Sequence, residues 1–148
     1  MPRSLINYSM KKTLLLTALL LVAISGWAQQ EQTPFKGYFV NEELNVYMRM
    51  DLLNSMDIPE HELLGPLPGF LAKQHNGFYW LIIDAQVKND KKATVQFVND
   101  YGSEDLSATL HMPNDSTLIL QQEEGSPIKV PKDGKWFKLP SKITFKRK

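Results

Sequence analysis

The chain has 148 residues, 43% of them apolar and 22% charged, with a formal net charge of +1. This composition fits one folded domain and excludes a mainly disordered chain or a generally basic nucleic-acid binder. There is no cysteine, which excludes disulfides, thiol catalysis, Cys-type zinc sites and diacylglycerol anchoring through an N-terminal Cys.

The first segment has the pattern of an export signal. Met10-Lys11-Lys12 gives a basic start, and Thr13 to Ile24 is an unbroken apolar run apart from its threonines. Ser25-Gly26-Trp27-Ala28 follows, then the polar Gln29-Gln30-Glu31-Gln32. Cleavage after Ala28 puts Gly26 and Ala28 at the two small-residue positions that signal peptidase requires. The run is short for a span, which takes about 20 apolar residues. An uncleaved anchor and a buried core helix are the rival readings. Met10 reads as the true start. Residues 1–28 are thus expected to be a signal peptide with an upstream extension, and residues 29–148 a single exported domain, periplasmic or secreted.

In chain order, Phe35 to Val40 reads as a short strand or the start of the next. Leu44, Val46, Met48, Met50 and Leu52 then alternate with Asn45, Tyr47, Arg49 and Asp51. That period of two predicts a strand with one buried face. The competing reading is a helix over Glu42 to Met56 capped by Asn41. Asn54 to Gly69 carries Pro59, Pro66, Pro68, Gly65 and Gly69 and predicts the longest irregular connection. It is either a binding loop or a cover whose Met56, Ile58, Leu63 and Leu64 plug one end of the sheet.

Phe70 to Lys73 meets a turn at His75-Asn76-Gly77, where Asn-Gly signals a hairpin. The next strand, Phe78 to Val87, is apolar on both sides: Tyr79, Leu81, Ile83, Ala85 and Val87 on one, Phe78, Trp80 and Ile82 on the other. Ala93 to Phe97, Leu106 to Met112 and Thr117 to Gln122 follow between polar turns. Short strands near Ile128–Val130, Trp136–Leu139 and Ile143–Lys146 complete eight or nine. The predicted class is all-β, an antiparallel up-and-down meander closing into a small barrel or half-barrel, with a two-sheet sandwich as the alternative.

Gly37-Tyr38-Phe39 on the first strand and Lys146-Arg147 on the last carry a resemblance to the lipocalin-like superfamily in its small bacterial form. In that family a Gly-x-Trp stands on the first strand, and a basic side chain from a late strand packs over the Trp to close the barrel floor. Here Phe39 replaces the Trp, and no disulfide or C-terminal helix is expected. The resemblance implies a lipocalin-like barrel holding a small apolar ligand.

Motifs for chemistry are absent from the sequence: no nucleophile elbow, Walker loop, Gly-rich dinucleotide motif, HExxH or EF-hand loop. Glu60-His61-Glu62 offers donors to a divalent metal, but neighbours on an extended chain point apart, so a solvated loop is the simpler expectation. Asp100, Glu104 and Asp105 around Gly102 lack the spacing of a calcium loop. Asp84 with Glu104 or Asp105 is the one carboxylate pair worth naming for glycoside chemistry. No catalytic residue, metal or cofactor is assigned.

The doubly apolar strand needs covering on both faces. The long loop supplies the cover in one reading; in the other, Phe78, Trp80 and Ile82 form an exposed interaction face. Charge is also uneven. Lys129 to Lys148 carries eight bases against Asp133, and residues 29–127 carry six bases against fifteen acids. The basic strands either meet an anionic surface or pair with acidic strands beside them.

The sequence therefore points to an exported binding protein, a carrier of a small apolar ligand or lipid, with Tyr47, Trp80 and Phe97 as lining candidates. A protein-interaction module of inhibitor, immunity or envelope-assembly type is the alternative, and a carboxylate-based hydrolase comes third. No nucleic acid and no stable membrane span are expected.

Overall fold

The computed structural model describes residues 33–148. The expected signal peptide and the start at Met10 lie outside the described residues. The described chain forms ten strands: β1 Lys36–Asn41, β2 Val46–Asp51, β3 Gly69–Lys73, β4 Tyr79–Asn89, β5 Lys92–Asn99, β6 Asp105–Asn114, β7 Thr117–Gly125, β8 Lys129–Lys132, β9 Lys135–Lys138 and β10 Lys142–Arg147. Eight close into an antiparallel barrel in the order β1-β10-β7-β6-β5-β4-β3-β2, and β8 with β9 makes a separate hairpin. The fold is thus all-β and an up-and-down barrel, not a sandwich. Among the described residues no helix is long and apolar enough to cross a membrane.

The alternation from Leu44 to Leu52 holds a strand, Val46–Asp51, and not a helix, with Leu44 and Leu52 in the flanking turns. Val46, Met48 and Met50 of β2 point into the barrel, because a period of two places every second residue on one face. The segment expected from Phe35 to Val40 is a separate strand, Lys36–Asn41. The two pair from Lys36 opposite Asp51 to Asn41 opposite Val46. Their turn is pinned by the Asn41 side chain, whose Oδ1 accepts the Leu44 N–H at 2.8 Å.

Up-and-down order assigns each connection to one of two ends. The turns at 42–45, 74–78 and 100–104 and the 126–141 excursion lie at one end, called the mouth. The 52–68 connection, the other two hairpin turns, and the junction of β1 with the end of β10 lie at the floor. Phe39, Trp80, Phe97, Phe145 and Met48 fill the space between, all fully buried. Each such side chain contributes about 1.5–3 kcal/mol through burial.

At the floor the Arg147 guanidinium sits 4.6 Å from the centre of the Phe39 ring. Its Nε and Nη1 donate to the carbonyls of Asp115 and Lys36, each at 2.6 Å. Gly37 leaves the room: a Cβ there would collide with Arg147 Nη1, and its φ of +144° disfavours any other residue. A basic side chain closing the barrel over a first-strand ring is the arrangement that the lipocalin-like resemblance implies.

Strand β4 departs from the expected pattern. Trp80 and Ile82 point inward, as does Phe78 just before the strand, while Tyr79 and Leu81 point outward. Ile82 pairs with Phe97 and Asp84 with Gln96, so Ile83 is an extra residue. This bulge reverses the faces, and Ala85 and Val87 pack inward against the core instead of sharing a side with Tyr79. The Phe78–Trp80–Ile82 stripe is therefore barrel interior and not an exposed face.

The long connection covers the outside of the wall. Ile58 is buried with Phe70, Ala72, Tyr79 and Leu81, and Met56, Leu67, Tyr47 and Val98 pack around them. Met56 and Leu67 bond to each other through their backbones. Leu63 and Leu64, on a 3-10 turn at Glu62–Leu64, do not plug the sheet; Leu63 is fully exposed and Leu64 more than half so. The mouth is covered instead by the β8–β9 excursion, whose Ile128, Val130 and Leu139 join the barrel core.

Candidate functional site

The described residues bring two exposed rings against a buried one at the mouth. Phe78, Tyr101 and Trp136 come from three different connections and meet around a depression of about 250 Å³ that Ser103, Glu104 and Lys129 complete. The rings of Phe78 and Trp136 are 4.8 Å apart in an edge-on arrangement, and those of Phe78 and Tyr101 are 5.2 Å apart. Tyr101 is 74% exposed and Trp136 52%. Large rings left in water on one small patch mark a contact surface more often than chance.

Each ring is held by local chemistry. The Phe78 N–H donates to Asn76 Oδ1 at 2.8 Å. His75, and not the Asn-Gly pair, takes the left-handed backbone there, with φ of +58°; five residues between the strands leave no need for a two-residue turn. Tyr101 rides on a turn organised by Asn99, whose Oδ1 accepts the N–H groups of Ser103 and Glu104. Trp136 stands on β9, opposite Pro131. Lys129 reaches Glu104 at 3.1 Å, which ties the hairpin to that turn.

A second depression, about 450 Å³, lies on the other flank of the 100–104 turn. Leu63, Leu64, Leu81 and Val98 give it an apolar lining, with His61 and Asp100 at its edge. His61 joins the covering loop to the barrel. Its Nδ1 meets the Pro59 carbonyl at 3.0 Å, its Nε2 meets Asp100 Oδ1 at 2.5 Å, and its ring stacks on Tyr79. Asp100 Oδ2 also accepts the Tyr79 N–H. The Pro59 carbonyl, and then Asp100, raise the His61 pKa against the opposing effect of burial. With a proton on both nitrogens His61 satisfies both acceptors, and no lone pair is left to act as a base. The arrangement is a fastening.

The lining candidates do not converge. Trp80 and Phe97 are inside the barrel, fully buried, whereas Tyr47 stands on the outer wall among Tyr38, Phe70 and Tyr79. Burial, with Tyr79 next, pushes the Tyr47 phenol up to about 12. Two of the acidic groups named for metal or glycoside chemistry are engaged separately, Asp100 with His61 and Glu104 with Lys129. Among the described residues no three His, Cys, Asp or Glu side chains converge as a metal site requires.

Sequence reasoning missed Tyr101, Trp136 and the Asp100 partner of His61. Two signals were available. Trp136-Phe137 lies between lysines, so neither ring keeps an alternating pattern of burial, and Tyr101 sits within a turn sequence that offers it no strand face. No family model matches the chain, and no curated protein or solved structure matches it.

Proposed function

We propose that the chain is an exported binding protein of lipocalin-like shape that takes a small apolar ligand at the barrel mouth. The observation that carries this is the meeting of Phe78, Tyr101 and Trp136 around the mouth depression, where two of the three rings face water. Ligand sites are concave and mainly apolar, with a few placed polar groups; Ser103, Glu104 and Lys129 are those groups here. The volume suits one ring or a short chain and sits just below the usual range of roughly 300–1,000 Å³. Export rests on the Met10–Ala28 pattern. A ligand here would lie beside the covering hairpin, outside the space that Trp80 and Phe97 fill.

A second reading is a protein-interaction module. The exposed Leu63 and Leu64 beside the larger depression favour it.

Native mass spectrometry of the protein purified from its own periplasm tests both. A small-molecule adduct on the wild type that Trp136→Ala loses supports the mouth site. An adduct of protein mass supports the interaction module. Bare protein from every preparation, with no ligand taken up on soaking with aromatic or short-chain amphiphiles, overturns the mouth site.

A further inference from the structure

We infer that the β8–β9 hairpin is a docking edge for a bilayer surface rich in anionic lipid. The inference goes beyond the ligand reading and does not rest on it. The strand register puts Lys129 directly opposite Lys138 and Lys132 directly opposite Lys135. Like charges at facing positions oppose strand pairing, and this four-pair ladder carries two such positions. Of the four lysines, Lys129 alone has a carboxylate within ion-pair reach among the described residues, at Glu104. Lys132, Lys135 and Lys138 have no carboxylate within ion-pair reach among the described residues, and the turn between them holds the single acid Asp133 against the three. An anionic surface would relieve the excess.

The apolar part of the hairpin suits that surface. All four residues of β9, Lys135-Trp136-Phe137-Lys138, are exposed. Trp136 and Phe137, 52% and 39% exposed, stand between the two lysines on opposite faces of the strand, so the hairpin meets the surface by its edge. Rings of this kind settle at the level of lipid headgroups, and long lysine stems let the ammonium groups reach phosphate while the rings go deeper. The Lys132 ammonium lies 4.8 Å from the centre of the Phe137 ring, so charge and ring already share one place.

The free edge of β9 also argues against a second copy as the occupant. Antiparallel self-pairing centred on the edge would set Lys135 against Lys138 of the other copy, repeating the repulsion already present within the hairpin. A lipid surface makes no such demand, because mobile headgroups and water can adjust to the lysines.

The test is cosedimentation of the purified protein with vesicles of phosphatidylglycerol and phosphatidylcholine in equal parts, against phosphatidylcholine alone. Binding to the anionic vesicles and not the neutral ones is expected, weakening as salt rises. In the protein purified from the periplasm, from which cleavage after Ala28 removes Trp27, Trp136 should shift its emission to the blue on binding, and Trp136→Phe should abolish the shift, since Trp80 is already buried. The triple variant K132E/K135E/K138E should lose affinity by at least about 100-fold, since removing the charge alone is worth roughly fivefold per lysine and reversal adds repulsion. Should that variant melt early, the milder K132Q/K135Q/K138Q serves in its place. Equal binding to both vesicle types, or no binding to either, overturns the proposal. So does capture by soluble polyglutamate without vesicle binding, which would move the site to an acidic polymer. The small-molecule adduct is read on separate samples without vesicles, so either idea can fail while the other stands.

Discussion

The indole N–H of Trp80 donates to the backbone carbonyl of Lys129 at 2.8 Å. One of the largest side chains inside the barrel thereby holds the hairpin that covers its mouth. Trp80→Phe removes the donor and some of the interior volume. It should cost about 1–3 kcal/mol for the unpaired carbonyl, with a further cavity contribution. Urea unfolding measures the loss. Amide exchange should rise first in residues 128–139, where the hairpin is loosened.

Gly37 and Arg147 should behave as one unit at the floor. Gly37→Ala places a Cβ against Arg147 Nη1 and forces an alanine into a positive-φ backbone. Arg147→Ala removes two bonds to carbonyls and the contact with Phe39. Each is expected to destabilise by about 1–3 kcal/mol. The double variant should lose less than the sum, because the collision with Arg147 disappears with the side chain. Thermal melts of the four proteins give the coupling.

The fastening between His61 and Asp100 should depend on pH. The folded state raises the His61 pKa, so it holds the proton more tightly than the unfolded chain does. The stabilisation is fully present below the unfolded histidine value of about 6.5 and is lost as pH rises through the higher folded value. Urea midpoints measured between about pH 5 and 9 should fall over that interval. In His61→Gln this part of the fall should vanish.

The covering loop should show two kinds of leucine-sized residue. Ile58 is buried under the loop against Phe70 and Tyr79, so Ile58→Ala should cost about 2–5 kcal/mol. Leu63 is fully exposed, and Leu63→Ser should change stability by no more than about 0.5 kcal/mol. Chemical denaturation of the two variants is the comparison. Equal losses would mean that the loop packs by its tip as well as its centre.

Much of the barrel was legible because alternation survives in sequence wherever one face is buried. Val46, Met48 and Met50, and likewise Leu106, Ala108 and Leu110, follow it strictly and lie inside. Legibility failed where two surfaces compete for one strand. On β4 the wall is covered outside by the loop and filled inside by the core, so Phe78 to Ile83 is apolar throughout and periodicity cannot say which side is which. The bulge at Ile83 then exchanges the faces without leaving a glycine or proline to announce it. The candidate site was harder still. Phe78, Tyr101 and Trp136 are brought together by barrel closure and by the excursion between β7 and β10, over separations that no local pattern encodes. Arg147 over Phe39 was readable across a longer separation because a resemblance supplied the pairing.

The first strand of the described barrel is bonded to the last: β1 lies against β10 through Phe39 opposite Arg147 and Val40 opposite Lys146. A growing chain therefore cannot zip the cylinder shut until β10, Lys142–Arg147, has emerged from the ribosome. Long-range closure of this kind slows folding. Under the proposed export, the delay would leave the nascent polypeptide pliant during the interval in which a translocation channel needs it threadable.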